Sequence, residues 1–182
     1  MPTARHDFAA AAVGDKIYVM GGVDGSGFPV VTHEVYDTTT DTWAVAAPLP
    51  AARSGLSAVE VNGKLYAVGG TTDGTAPSAR NEEYDPVTDS WAPRAALQVA
   101  LMHPAVVAME DRIYAIAPSA NLEYTPAVDS WTSRSTHAGV RELCAAAAAA
   151  NTLYLFGGGS AGAYSSTNEE YAFTLYYLHV KL

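Results

Sequence analysis

Gly158-Gly159-Ser160-Ala161-Gly162 satisfies the G-x-S-x-G pattern, in which a serine nucleophile is held on a sharp turn between a strand and a helix. No amphipathic helical pattern follows it, so the segment is predicted to be a glycine-rich loop. Gly21-Gly22-Val23-Asp24-Gly25-Ser26-Gly27 has the small residues that let backbone N–H groups approach a phosphate. It lacks the Walker lysine and opens no helix, and it too reads as a loop. His6, His33, His103, His137 and His179 are scattered without the H-x-H or H-E-x-x-H spacing that aims two imidazoles at one metal. Cys144 is the single cysteine, which excludes an intramolecular disulfide framework and any multi-cysteine zinc site. The expectation is a protein with no metal, no cofactor and no catalytic residue set.

The elements that must position any site come from a chain of 182 residues, a length that suits one domain with a sizeable core. Ten Lys and Arg against 19 Asp and Glu give a net charge of −9 with no basic cluster. That balance argues against a nucleic acid or an anionic membrane as partner. At 49% apolar and 16% charged residues the chain is predicted to fold, and its uncharged stretches are too rich in Gly, Ala and polar residues to span a membrane. The small apolar run near Arg5 is too short and alanine-rich for an export signal. The compartment stays open.

Comparing the chain with itself reveals a repeat. Lys16-Ile17-Tyr18-Val19-Met20-Gly21-Gly22 returns 48 residues later as Lys64-Leu65-Tyr66-Ala67-Val68-Gly69-Gly70. The same shift carries Tyr36-Asp37 to Tyr84-Asp85, Asp41-Thr42-Trp43 to Asp89-Ser90-Trp91, and Arg5 to Arg53. A third unit holds Arg112-Ile113-Tyr114, Tyr124 and Trp131, but Ala117-Pro118 replaces its diglycine and it is eight residues shorter between its tyrosines. A fourth holds Tyr154, Gly157-Gly158 and Tyr171, with no tryptophan at the equivalent position.

Each unit reads as four short strands separated by turn residues such as Gly14-Asp15, Asn62-Gly63 and Asp85-Pro86. Four strands per period, with glycines and aromatics at fixed offsets, is the pattern of a β-propeller blade. Residues 145–150 are six alanines, which intrinsic propensity assigns to helix. Their register matches the small-residue strands around Ala9 and Ala105, and strand preference is strongly context-dependent, so a first strand is predicted. Glu34, Glu82, Glu83, Glu123, Glu169 and Glu170 precede the tyrosines too regularly to be catalytic and are expected to make a repeated structural hydrogen bond. Tyr36, Tyr84, Tyr124, Trp43, Trp91 and Trp131 are expected to pack.

The diglycine after an apolar strand, the Tyr-Asp pair and a Trp seven residues beyond the Tyr resemble the kelch repeat. The resemblance covers nearly the whole chain and implies an all-β propeller of four four-stranded blades, with repeats at about 1–48, 49–96, 97–136 and 137–182. It also implies that Arg5, Arg53 and Arg141 are mainly structural. Two positions on lie Asp7, Gly55, His103 and Leu143, where kelch domains often place ligand-contacting side chains around the channel mouth. The loops holding Asp24, Ser26, Phe28, Asp73, Thr75 and Tyr164 are expected on that same end. The candidate ligand-binding residues are thus Arg5, Asp7, Asp24, Arg53, Asp73, His103 and Arg141.

The leading expectation is a non-catalytic binding or scaffold module that recognises a protein or a small polar or sugar ligand through its loop face. An alternative implied by the resemblance is a sugar mutarotase of the N-acetylneuraminate epimerase type, with His103 moving protons and Arg53 holding a carboxylate. A piece of a larger propeller is a further reading. Closure of four blades within one chain is favoured over a homodimer that joins open ends into an eight-bladed ring, with residues 175–182 as the outer strand of the last blade.

Overall fold

The computed structural model describes residues 1–118, 120–134, 143–150, 152–160, 163–164 and 168–172. Its main elements are four antiparallel sheets, one per repeat. The first holds Ala9–Val13, Lys16–Met20, His33–Asp37 and Thr42–Val45. The second holds Ser54–Val61, Lys64–Thr71, Asn81–Asp85 and Ser90–Pro93, and the third Ala105–Met109, Arg112–Ala117, Ala120–Thr125 and Ser130–Ser133. In the fourth, Ala145–Ala149, Thr152–Phe156 and Asn168–Ala172 are described; residues 175–182 lie outside the described residues. The repeat in sequence becomes a repeat in register: Ile17 faces Tyr36, Leu65 faces Tyr84, Ile113 faces Tyr124 and Leu153 faces Tyr171.

Ala145–Ala149 forms the inner strand of blade four, paired along its length with Thr152–Phe156. Tertiary pairing overrides the helical propensity of alanine, because a strand edge and an apolar neighbouring blade are there to satisfy it. No helix among the described residues is long and apolar enough to cross a membrane.

Because side chains alternate across a strand, each sheet has two faces, and here both are used. Leu65, Ala67 and Tyr84 of blade two pack back onto Tyr18 and Met20 of blade one. Tyr66 and Val68, on the opposite face, pack forward onto Ile113, Ala115 and Tyr124 of blade three. Tyr114 and Ile116 then meet Leu153 and Leu155 of blade four. Among the described residues the core is therefore three interblade layers.

Two polar devices join the blades, and a third supports one of them. At the inner rim of blades one and two the second glycine of the diglycine donates to the chain entering the next blade: Gly22 N–H to the Arg53 carbonyl at 2.8 Å and Gly70 N–H to the Leu101 carbonyl at 2.9 Å. Both residues of each pair have positive φ, and a Cβ placed on Gly69 would meet the Leu101 carbonyl oxygen at 2.6 Å. The diglycine is required because the next chain passes where a side chain would be.

At the outer rim of the first three blades the Tyr hydroxyl donates to the Asp five residues on, Tyr36 to Asp41 at 2.6 Å, Tyr84 to Asp89 at 2.7 Å and Tyr124 to Asp129 at 2.6 Å. In blades two and three the same carboxylate oxygen accepts the N–H of a residue leaving the preceding blade, Ala47 to Asp89 at 2.8 Å and Ala95 to Asp129 at 2.7 Å. The Trp two positions later donates its indole N–H to the carbonyl of that same residue, Trp91 to Ala47 at 2.9 Å and Trp131 to Ala95 at 2.8 Å. One peptide residue is gripped from both sides. The third device buttresses this clamp inside blade one: His33 Nδ1 lies 2.8 Å from the Ala47 carbonyl oxygen and so must carry the proton. Burial pulls this imidazole below its usual range, against the opposing pull of that bond, and keeps it neutral.

The diglycine joint yields a contrast. Gly69→Ala combines a left-handed backbone with a backbone clash and is expected to cost at least about 2 kcal/mol. Gly74→Ala, also at positive φ but with nothing within 4 Å, is expected to cost about 1 kcal/mol. Urea midpoints of the two variants measure the difference, and equal losses would reject the close-approach explanation.

Candidate binding face at the channel mouth

The candidate arginines lie below the surface. Arg5 donates from Nη1 to Glu34 Oε2 at 2.6 Å and from Nη2 to the Val19 carbonyl at 3.1 Å, with no side-chain exposure. Arg53 repeats the arrangement with Glu82 and the Gly69 carbonyl, and it is also fully buried. Neither arginine side chain is exposed. Arg141 lies outside the described residues. In blade three both positions change together: Leu101 stands where the Arg would be and Leu122 where the Glu would be, 2% and 1% exposed. A buried ion pair has been exchanged for two apolar side chains, which removes the desolvation cost along with the attraction.

The other glutamates on these strands are structural as well. Glu83 accepts from the Tyr66 hydroxyl at 2.8 Å and from Arg94 at 2.9 Å. Glu123 lies between Arg112 and Arg134. Burial pushes its carboxyl up, but bonds from Arg134 and Arg112 outweigh that and hold it below the ordinary glutamate range. The same burial raises the neighbouring Tyr114 phenol to about 12.

Two residues beyond the arginine position, every blade places a residue in the left-handed region: Asp7 at φ 54°, Gly55 at 59°, His103 at 51° and Leu143 at 55°. This kink carries a collar of backbone bonds around the axis, with Gly55 N–H donating to the Asp7 carbonyl at 2.9 Å and His103 N–H to the Gly55 carbonyl at 2.8 Å. The backbone is the same in each blade, and only the side chain differs. Where blade two has glycine, the His103 ring occupies the vacant space, since a Cβ on Gly55 would lie 2.7 Å from its Nε2. Leaning this way, His103 Nε2 comes to 4.0 Å from Asp7 Oδ2, while His6 Nδ1 approaches the same oxygen at 3.6 Å. An exposed carboxylate thus sits between two exposed or half-exposed imidazoles.

Beside this trio opens a cleft of about 400 Å³, lined by Pro77, Met102, His103, Ala117, Pro118 and Leu143 among others. It owes its existence to blade three. Blades one and two send a long loop out after the diglycine, whereas blade three turns back at once, with Ala117 paired to Ala120. Pro118 also lacks the N–H that Gly22 and Gly70 use to hold the next blade. His6, Met102 and Pro118 were not singled out from sequence; the lost diglycine and the eight-residue deletion were the signals for the cleft.

The loop aspartates hold their own loops. Asp24 accepts the backbone N–H of Ser26 at 2.9 Å, and the Ser26 hydroxyl holds its carboxyl below the usual range. Asp73 Oδ1 accepts the N–H groups of Ala76 and Thr75, both at 2.8 Å, which hold it well below the ordinary aspartate range. Phe28, at the tip of the first loop, is 72% exposed. Of the candidates, the structure brings together Asp7 and His103. At the opposite end of the blades, Glu60, Glu110 and Asp111 line a more open cleft of about 300 Å³. Among the described residues no group of three or more His, Cys, Asp and Glu is placed to hold a metal ion.

Four-stranded blades in radial succession, joined through diglycines and Tyr–Asp–Trp clamps, define a β-propeller. The kelch motif matches residues 4–50 and 52–98, more than half of the chain, and the protein belongs to the kelch repeat family. Among solved structures, that of YjhT superposes with a TM-score of 0.81 at 16% sequence identity. The superposition covers 96% of this chain and 65% of that one, so this chain spans less than two thirds of its length. At that identity the likeness shows the fold. No curated protein matches the sequence.

The leucine pair of blade three predicts what Arg53 and Glu82 contribute. Glu82→Leu alone, leaving the buried Arg53 guanidinium without its carboxylate, is expected to cost about 3 to 5 kcal/mol, and Arg53→Leu alone, in which Glu82 keeps the half-exposed Arg80 at 3.2 Å, is expected to cost less. The double variant, which copies Leu101 and Leu122, is expected to fall within about 1 kcal/mol of the parent. Denaturant melts of all four proteins close the cycle, and a double variant as unstable as the singles would refute a purely structural pair.

Proposed function

We propose that this chain is a binding module whose channel-mouth face recognises a protein segment or a small polar ligand. The observation that carries the reading is the collar: one backbone geometry, repeated in every blade, presents three chemically different side chains and, at Gly55, a gap, and a cleft opens beside two of those side chains. Rigid repetition with local variety is how a repeat scaffold displays a recognition surface. The Asp7 carboxylate between His6 and His103 suits a hydrogen-bond donor or a cation. The floor of Met102, Pro118 and Leu143 suits an adjacent apolar group. The ligand class is therefore one that carries both, such as a peptide with a basic residue next to an aliphatic one.

Panning a random peptide library against the chain supplies the probe, and calorimetric titration of a selected peptide measures it. Asp7→Asn and His103→Asn, the latter chosen because asparagine tolerates positive φ, are each expected to weaken binding by about tenfold or more. Exposed substitutions of this kind shift stability by no more than about 0.5 kcal/mol, so the melting curve is expected to stay in place. Glu110→Ala, at the opposite end, is expected to leave affinity unchanged. Peptides that respond to Glu110→Ala and ignore Asp7→Asn would move the site to the other face. Acceleration of N-acetylneuraminate anomerisation in polarimetry, abolished by His103→Asn, would replace recognition with catalysis.

A further inference from the structure

One strand position departs from the repeat inside a joint. His33 faces Met20 across the sheet of blade one, and the residues that face Val68, Ile116 and Phe156 in the other blades are all asparagine: Asn81, Asn121 and Asn168. Asn81 shows what the position does. Its Nδ2 donates to the Ala95 carbonyl at 3.3 Å, and the Trp131 indole donates to that same oxygen at 2.8 Å. His33 Nδ1–H and the Trp91 indole meet in the same way on the Ala47 carbonyl, at 2.8 and 2.9 Å. The two clamps use equivalent bonds, but only the one between blades one and two is held by a group that takes up a proton near neutral pH.

The buried imidazole has no place for that proton. His33 is 1% exposed, and its Nε2 has no hydrogen-bond partner among the described residues. Tyr18 of its own blade packs on the ring at 5.7 Å between centroids, and Tyr84 and Trp91 of blade two at 4.6 and 5.4 Å. Aromatic faces attract a cation, but by less than the hydration it would lose. Two charged groups act on the ring, Asp89 of blade two favouring protonation and Arg5 of the entering chain opposing it. The Asp89 oxygen is already shared between the Tyr84 hydroxyl and the Ala47 N–H, and Arg5 is paired with Glu34. Burial outweighs the Ala47 bond and Asp89 and holds the imidazole below its ordinary range, while bonds from Ala47 and Tyr84 hold the Asp89 carboxyl below its own. His33 therefore begins to weigh on the joint near the ordinary imidazole value of about 6.5, and Asp89 only below about 3.9.

We propose that His33 makes the clamp between blades one and two an acid-sensitive latch, closed while the imidazole is neutral and released when the ring takes a second proton and turns out to water. The Asn81 clamp between blades two and three stays shut. Above about pH 6.5 the imidazole is neutral whether the latch is open or closed, and closure is at its strongest. At lower pH the exposed ring of the open form binds a proton that the closed form refuses, so the open form gains population until the closed form too is protonated. Release removes one donor from the Ala47 carbonyl and loosens the segment that Asp89 and Trp91 hold. Asparagine makes the same bond without titrating.

Amide hydrogen exchange of the full isotope-labelled chain, read by NMR as protection factors corrected for the intrinsic rate at each pH, tests this at Ala47 and Ala95. From about pH 7 to about pH 5 the protection of Ala47 is expected to fall by about tenfold or more, while that of Ala95 holds within about twofold. His33→Asn, which copies the other three blades, is expected to level the Ala47 profile while keeping every other histidine. An Ala47 profile that stays level in the parent would overturn the latch, and so would an equal fall at Ala47 and Ala95. These two outcomes are read on the parent alone and decide the matter even if the variant does not fold. A folded His33→Asn variant that keeps the fall at Ala47 would overturn it too, by assigning the titration to another group.

Discussion

The structure depends on one constraint, the close passage of each blade's incoming chain over the end of the preceding blade's second strand. Gly22 and Gly70 donate to carbonyls on that chain, at 2.8 and 2.9 Å, and the first glycine of each pair leaves no room for a side chain between them. Everything outward follows from the spacing so fixed. The blades come near enough for Leu65 to reach Tyr18 and Met20, and for Asp89 and Trp91 to take both polar groups of Ala47. An isolated blade would expose both faces of its sheet and bury almost nothing. Stability therefore resides in joints, as expected of a quasi-one-dimensional repeat protein, and the first two joints combine an apolar layer with a peptide whose N–H and carbonyl are both taken.

The interior of each blade solves a different problem in two ways. Blades one and two bury a guanidinium against a carboxylate and give a further donor to a backbone carbonyl, while the Nε of each arginine has no hydrogen-bond partner. Blade three fills the same space with Leu101 and Leu122. Both solutions respect the rule that a buried charge requires a partner, and only simultaneous exchange satisfies it. The position next to this pair, two residues along the chain, is where side chains turn outward to the channel mouth. A conserved-looking arginine series and a variable recognition series are thus separated by a single left-handed kink.

The proposed binding face lies where repetition lapses. Glycine at 55 lets the His103 ring lean toward Asp7, and the deletion after Ala117 removes the loop that would close over Met102 and Leu143. Loops that keep their length, by contrast, spend their aspartates on their own turns: Asp73 accepts from Thr75 and Ala76 and has little capacity left on that oxygen. The cleft arises here by removing parts of the repeat, with no new element added among the described residues.

The sequence by itself determined the period, the strand content and the residues that join blades, because these are written in local spacing: tyrosine to tryptophan, diglycine after an apolar run, turn residues between. It determined the strand assignment of Ala145–Ala149 only through comparison with the other repeats, since propensity alone pointed to helix. Tertiary structure decided which face of each strand meets which neighbour. Alternation distinguishes two sides of a strand without saying what covers them, and in a propeller both are covered. It also decided that Arg5 and Arg53, identical in spacing to surface candidates, turn inward to Glu34 and Glu82, while Asp7 and His103, two repeats apart, converge. A rotation of the backbone into positive φ at one residue sends neighbouring side chains in opposite directions, and only the stacking of blades around an axis brings distant repeats to the same point.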